Sequence, residues 1–193
     1  MSGPEHEAIC HVVLVGLMGA GKTSVGTAIG ARLGWPVLDS DATLLAATGR
    51  TVREIRAELG TEGLHRAEAD ALLDALAREE RSVVCAAASV IEDPAARAAL
   101  ARADVFAVWL RASPTTLAER FTSAEHRPIY GPDPLGVAQG QAARRNPLYA
   151  EVARITIDVD DAEIEAVAEA VLVVLAGLSD DRSASARDDV GDQ

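Results

Sequence analysis

The residue in this chain best suited to phosphate chemistry is its single lysine. Lys22 stands in the segment Gly16-Leu-Met-Gly-Ala-Gly-Lys-Thr23, whereas every other strongly basic residue is an arginine. The segment has the spacing G-x-x-x-x-G-K-[ST], in which backbone N–H groups cradle phosphates, the lysine reaches the β- and γ-phosphates and the hydroxyl contacts Mg²⁺. It predicts a nucleotide phosphate site; a glycine-rich turn before an ordinary helix is the simpler alternative.

The segments that flank this motif are of the kind it requires. Residues 9–15 form an apolar run rich in β-branched side chains, which predicts a strand, and residues 23–33 have helical spacing. Strand, glycine loop and helix in this order place the N–H groups of residues 19 to 23 at a helix N-terminus, where anions bind. We expect Lys22 to add positive charge there and Thr23 to bind Mg²⁺.

Two aspartates follow the second apolar run of the chain. Asp39 and Asp41 come directly after residues 36–38, at the strand edge where open α/β sheets bind ligands. Since Ser82–Cys85 and residues 105–110 end without an aspartate, this pair is the best catalytic candidate, with a helix cap as the alternative. An N-K-x-D guanine motif is excluded because there is no second lysine.

Alternation of apolar runs and helical patterns predicts the fold class. Five runs separated by helical segments are typical of a parallel sheet covered on both faces, a doubly wound α/β architecture. Asp93-Pro94 and Ser113-Pro114 each place a capping residue before a proline and predict helix starts. Cys10 and Cys85 fall within predicted strands and are interpreted as small apolar residues. The predicted strands are residues 9–15, 36–38, 82–85, 105–110 and 155–159.

Domain boundaries follow from composition. We expect one domain over residues 8–178, with a disordered N-terminus at residues 1–7 and a disordered acidic tail at residues 179–193, where few side chains offset the entropy of ordering. Residues 122–140 are rich in proline and glycine, which predicts a mobile lid around Arg127 or, alternatively, a solvated connector.

Charge and hydropathy exclude several classes of partner. The formal net charge of −12 argues against nucleic acid and acidic membrane surfaces. No stretch is apolar enough for a membrane span, and the first residues lack the pattern of a signal peptide. We expect a cytoplasmic monomer whose partners are ATP and a small hydroxylated acceptor.

From about residue 10 to residue 176 the chain resembles the shikimate kinase family. The resemblance rests on the loop from Gly16 to Thr23, on Val37-Leu-Asp-Ser-Asp41, on Arg120, on Arg127-Pro128 and on Arg145-Asn-Pro-Leu-Tyr149. Members are small P-loop kinases with a three-layer α/β/α fold, a five-stranded parallel sheet and a mobile lid. They transfer the γ-phosphoryl group of ATP to a hydroxyl of a cyclic carboxylic acid.

This resemblance implies a role for each matched residue. ATP would bind to Gly19, Ala20, Gly21, Lys22, Thr23 and Ser24, with Arg120 facing the adenine. Thr23 and Asp39 would hold Mg²⁺, Asp41 would orient the accepting hydroxyl, and Arg127 would reach the transferring phosphate from the lid. Arg145 would bind the carboxylate of the acceptor. Lys22, Asp41 and Arg127 are therefore the expected catalytic residues.

Two departures from the family pattern fall on the acceptor side. Leu64 and His65 stand where the family usually has phenylalanine and arginine, and losing one charged hydrogen-bond partner costs roughly 1.5 to 3 kcal/mol. Ala86, Ala87 and Ala88 replace three glycines; they either narrow the pocket or cost roughly 1 to 2 kcal/mol where left-handed backbone is required. Three interpretations stay open: a kinase of shikimate, a kinase of another small polyol or hydroxy acid, and a catalytically silent nucleotide-binding regulator.

Overall fold

A computed structural model of the protein describes residues 9–122 and 133–188, and its centre is a parallel sheet. Each strand begins and ends within about two residues of its predicted bounds, because each is a short apolar run between polar segments. All strand pairs are parallel, and the order across the sheet is β2-β3-β1-β4-β5. The strands are β1 (His11–Val15), β2 (Val37–Asp39), β3 (Ser82–Cys85), β4 (Val105–Arg111) and β5 (Ile155–Asp158).

Helices connect the strands and cover the sheet. The predicted helix starts at Asp93-Pro94 and Ser113-Pro114 are confirmed, since Asp93 accepts a hydrogen bond from the backbone N–H of Ala96 and Ser113 accepts one from that of Thr116. The helices of the described residues are α1 (Lys22–Leu33), α2 (Ser40–Thr48), α3 (Val52–Leu76), α4 (Pro94–Leu100), α5 (Pro114–Thr122), α6 (Pro134–Val152) and α7 (Ile164–Asp188).

The strand register shows that helices lie on both faces of the sheet. Leu14 pairs with Cys85, and both side chains border Gly26 of α1. The next residue of β1, Val15, points to the opposite face of the sheet and pairs with Trp109 of β4. The Trp109 ring stacks on Tyr149 of α6, with ring centroids 5.8 Å apart. The fold therefore has the three layers and the five-stranded parallel sheet that were predicted.

Glycine at position 60 interrupts α3 and starts its second half. The helix begins with a capping box in which the Thr51 hydroxyl and the Glu54 carboxylate each bond the backbone N–H of the other residue. Gly60 then takes the left-handed angles φ 72° and ψ −176°, which break the helical hydrogen bonding. The restarted helix carries His65 and Glu68, so the break decides where these side chains point.

Two predicted boundaries are corrected by the structure. The lid was expected over residues 122–140, but α6 already begins at Pro134, because Asp133 caps it by accepting a hydrogen bond from the N–H of Gly136. The acidic tail was expected to be disordered from residue 179, but α7 continues to Asp188. Extending a formed helix adds one hydrogen bond per residue without a new nucleation cost, so it does not require apolar burial. Residues 123–132 and 189–193 lie outside the described residues.

Neither cysteine forms a disulfide, and their positions differ slightly from those predicted. Cys85 is buried at the end of β3, as expected, whereas Cys10 precedes β1 and is half-buried. Burial raises the pKa of the Cys85 thiol to about 12, so this side chain is uncharged at neutral pH. None of the helices within the described ranges is long and apolar enough to cross a lipid bilayer.

Candidate active site

The loop between β1 and α1 has the geometry of a phosphate cradle. Gly16, Gly19 and Gly21 all have positive φ angles, of 144°, 88° and 89°. A side chain at Gly16 would place its Cβ 2.5 Å from the Leu110 carbonyl oxygen, so this position requires glycine. The Lys22 Nζ donates hydrogen bonds to the carbonyls of Gly16 at 2.8 Å and Leu17 at 3.1 Å. The ammonium is thereby held at the mouth of the loop.

Thr23 and the aspartate pair meet beside this loop. The Thr23 hydroxyl donates a hydrogen bond of 2.8 Å to Asp39 Oδ2. The other oxygen of Asp39, Oδ1, accepts the Asp41 backbone N–H at 3.0 Å, so Asp39 also caps α2. Asp41 lies in the first turn of that helix and is exposed toward the same sheet edge. Asp39 is therefore a helix cap whose other oxygen is bonded to the phosphate loop.

Arg120 closes the opposite side of the phosphate loop. Its guanidinium donates hydrogen bonds to the carbonyls of Gly19 at 3.0 Å and Val159 at 2.9 Å, which ties α5 to the loop and to the segment after β5. A pocket lies between these elements and α7, open toward the loop. It is lined by Gly19, Ala20, Gly21, Ser24, Val25, Arg120, Val159, Ala162, Ile164 and Val167. An arginine over mostly apolar walls suits a flat aromatic base.

A buried carboxyl that was not predicted from the sequence lies on the acceptor side. Glu68, on α3, is 8% exposed and accepts a hydrogen bond from the Ser89 hydroxyl. Burial raises the pKa of Glu68, with the Asp41 charge adding to the effect, while Arg145 and Lys22 oppose it. Glu68 is therefore a buried carboxyl whose pKa responds to charges on the phosphate loop, α2 and α6.

His65 lies on the same helix, three residues before Glu68, and is half-buried. Burial lowers the pKa of its imidazole, and the charges of Arg145, Arg144 and Arg56 lower it further, although Glu92 opposes them. The side chain is therefore neutral at neutral pH, because its pKa lies below the usual histidine value of about 6.5. Arg66 is exposed on the next face of α3 and does not replace the missing arginine.

The three alanines that follow β3 adopt ordinary backbone angles. No residue other than glycine has a positive φ among the described residues, so the left-handed strain considered for Ala86, Ala87 and Ala88 does not arise. Ala86 is buried, while the other two are half-buried. The Ala88 carbonyl accepts a hydrogen bond of 2.8 Å from the Tyr149 hydroxyl. The added methyl groups are thus accommodated without backbone strain.

Arg145 is present in the cavity but already has an acidic partner. It lies on α6, is 5% exposed, and donates a hydrogen bond of 2.9 Å from Nη2 to Glu92 Oε2. The second oxygen of Glu92 forms an ion pair with Arg144. The Arg145 Nε is buried and has no hydrogen-bond partner in the described part of the chain. Glu92 stands in the 3₁₀ turn Val90–Glu92 after β3.

Most of the residues predicted from sequence are brought together in this way. The phosphate loop, Thr23, Asp39, Asp41 and Arg145 surround one edge of the sheet, and Arg120 lies across the loop from them. Arg127 lies outside the described residues. Glu68 and Glu92 were missed; helical spacing from His65 could have indicated Glu68, whereas nothing in the sequence joins Glu92 to a residue on α6.

Comparison with known proteins identifies similar chains over most of the length. The sequence model of the family described as shikimate kinase matches residues 18–176. The chain is 39% identical over 165 residues to the shikimate kinase of Symbiobacterium thermophilum, covering 84% of this chain and 94% of that protein. It is 36% identical to the shikimate kinase of Caulobacter vibrioides over 85% of this chain and 81% of that protein.

A solved structure gives the same result for the fold. Shikimate kinase from Acinetobacter baumannii in complex with shikimate superposes with a TM-score of 0.82 at 28% identity, over 89% of this chain and 95% of that one.

Proposed function

Because the chain belongs to the shikimate kinase family and is a small-molecule kinase, we propose that it transfers the γ-phosphoryl group of Mg-ATP to a hydroxyl of a small cyclic hydroxy acid, with shikimate as the first candidate. The observation that carries this proposal is the hydrogen bond between Thr23 and Asp39. It joins the phosphate loop to the helix that bears Asp41, so nucleotide and acceptor groups share one site.

ATP binding is assigned to the loop and the pocket beside it. The triphosphate would bind the backbone N–H groups of residues 19 to 24 at the start of α1, with Lys22 adding a compact positive charge. The adenine would enter the pocket beneath Arg120, whose position is fixed by the Gly19 and Val159 carbonyls. This placement directs the γ-phosphate toward α2 and Asp41.

The residues at the loop fit a magnesium ion. Mg²⁺ usually binds one or two protein oxygens and completes its shell with water and substrate phosphates, rather than a cage of side chains. Within the described residues no group of three or more His, Cys, Asp or Glu is arranged as such a cage. Thr23 and Asp39 supply the hydroxyl and carboxylate, and the ion, when bound, neutralises charge on the β- and γ-phosphate oxygens.

Transfer itself requires positioning and a proton acceptor. The acceptor oxygen forms a bond to the γ-phosphorus while the bond to the β,γ-bridging oxygen breaks, and ADP leaves with that oxygen. The proton of the accepting hydroxyl passes to the Asp41 carboxylate. Lys22 stabilises the charge on the transferring group, and we assign the same task to Arg127 from the lid. Arg145 orients the acceptor from the far end of the cavity.

A second candidate is transfer to a different small polyol or hydroxy acid. The observation that favours it is that Arg145 is bonded to Glu92 and that His65 is neutral, so the acceptor pocket has less free positive charge than a carboxylate site requires. The nucleotide side is the same for both candidates.

Replacing the proposed proton acceptor tests the function. Asp41→Asn should lower acceptor-dependent ADP release by about 10²- to 10⁴-fold while leaving Mg-ATP affinity within about twofold, because the amide cannot take the proton. Asp74→Asn is the matched control, since it removes the same charge from an exposed position on α3. Unchanged acceptor-dependent turnover in Asp41→Asn would show that Asp41 has no such role.

A further inference from the structure

The carboxylate-binding end of the acceptor cavity already contains a carboxylate of the protein itself. Glu92 Oε2 accepts a hydrogen bond from Nη2 of Arg145 at 2.9 Å, and Oε1 pairs with Arg144. The side chain of Glu92 is 26% exposed, and that of Arg145 only 6%. An acceptor carboxylate that approaches Arg145 must therefore displace Glu92 or lie against it.

Glu92 leaves part of the Arg145 guanidinium without a hydrogen-bond partner. A guanidinium offers five N–H donors, and its Nε is buried without a partner in the described ranges. A buried donor without a partner is unfavourable. Glu92 thus satisfies only part of the guanidinium and leaves one buried donor without a partner among the described residues.

Arg144 is the second described cation beside Glu92, and it lies largely in solvent. His65 is held neutral by burial and by the neighbouring arginines, and Arg144 is 61% exposed, so its charge is largely solvated. Burial alone would raise the pKa of Glu92, but the hydrogen bond from Arg145 and the charges of both arginines outweigh it and hold the pKa low. Glu92 is therefore ionised at neutral pH.

We propose that Glu92 is a specificity-determining residue that competes with the carboxylate of the acceptor for Arg145. This rests on the proposed function, because it concerns the acceptor of that reaction. A carboxylate guest and Glu92 require the same N–H donors and repel each other, whereas a neutral guest with the same hydroxyls neither repels Glu92 nor needs to displace it. The site therefore penalises carboxylate acceptors relative to their neutral analogues.

A substrate-by-variant comparison tests this proposal. Wild type and Glu92→Gln are titrated with shikimate and with its methyl ester, by calorimetry in the presence of Mg-ADP and by steady-state kinetics with Mg-ATP. Glu92→Gln should tighten shikimate binding and lower its KM about tenfold or more, since a neutral amide competes less with a carboxylate. Affinity for the ester, KM for ATP and kcat should stay within about twofold.

The control is Glu169→Gln, which removes an exposed arginine–glutamate pair between α1 and α7. It should change none of these values. Equal changes for acid and ester in Glu92→Gln, weaker shikimate binding in that variant, or no binding of either compound would overturn the proposal. If Glu92→Gln fails to fold, the wild type decides: a preference for shikimate over the ester greater than about tenfold would contradict it.

Failure of the proposed function is a separate outcome. Absence of phosphorylated product from both compounds, with binding that still follows the predicted pattern in Glu92→Gln, would refute phosphoryl transfer to this class of acceptor while supporting the role of Glu92. Product formation with no effect of Glu92→Gln on shikimate affinity would support phosphoryl transfer and refute the role of Glu92.

Discussion

Helix α1 positions the phosphate loop by crossing β3 closely at Gly26. A Cβ added at this glycine would lie within 3.0 Å of Cys85 Sγ, closer than such atoms approach in proteins, with Leu14 and Val83 at ordinary contact distance. Gly26→Ala should therefore be overpacked, which typically costs about 1 to 3 kcal/mol. Alanine has a higher helix propensity than glycine, which offsets about 1 kcal/mol of that cost. We expect a net loss of up to about 2 kcal/mol in the free energy of unfolding.

A second substitution tests whether this contact is the cause. Cys85→Ala alone should cost about 1 kcal/mol, because it removes roughly one methylene of buried volume and no charge. In the double variant the new methyl group enters the space left by the sulfur, so the total loss should be below about 1 kcal/mol. The two effects would then be non-additive by up to about 2 kcal/mol, a size expected for residues in contact.

Urea unfolding followed by circular dichroism measures the three stabilities, with constant m-values as the check on two-state behaviour. The same variants report on function, because Gly26 lies one turn after Lys22. Gly26→Ala should raise KM for ATP and the double variant should restore it. Additive losses of stability, or a KM that stays raised when stability is recovered, would refute the reasoning.

Two further predictions concern the metal and pH. Asp39→Asn should raise the Mg²⁺ concentration needed for half-maximal ADP release by about ten- to a hundredfold, because it replaces a carboxylate beside Thr23 by a neutral amide; an unchanged Mg²⁺ titration would exclude Asp39 from the metal site. Burial lowers the pKa of His11 below 6.5 in the folded protein. Near and below that pH the unfolded chain therefore binds more protons than the folded protein, and the free energy of unfolding should fall as the pH is lowered. Urea unfolding at several pH values should show a smaller change of the free energy of unfolding with pH in His11→Gln, with the remaining histidine contribution coming from His65. The same pH dependence in wild type and His11→Gln would contradict this prediction.

The sequence predicted those parts of the molecule that depend on local pattern. The five strands, the glycine loop between β1 and α1 and the caps at Asp93 and Ser113 follow from residues adjacent in the chain, and all are present in the structure. The start of α6 was missed although Asp133-Pro134 carries the same capping signal, because the surrounding prolines and glycines outweighed it.

Contacts between distant segments could not be predicted in this way. Glu92 and Arg145 are 53 positions apart, and only the packing of α6 against the turn after β3 brings them together. Glu68 lay within a stretch already considered, but its burial depends on the break at Gly60 and on Ser89. The resemblance implied that Arg145 binds a carboxylate; it did not imply that this chain supplies one.

The most direct measurement of the central claim is the mass of the acceptor after incubation of the wild-type protein with Mg-ATP and saturating shikimate. Phosphoryl transfer predicts one added phosphoryl group per ADP released, and no such product without Mg²⁺ or in Asp41→Asn. ADP released without phosphorylated shikimate, or bound Mg-ATP with no product from shikimate or its methyl ester, would contradict the account.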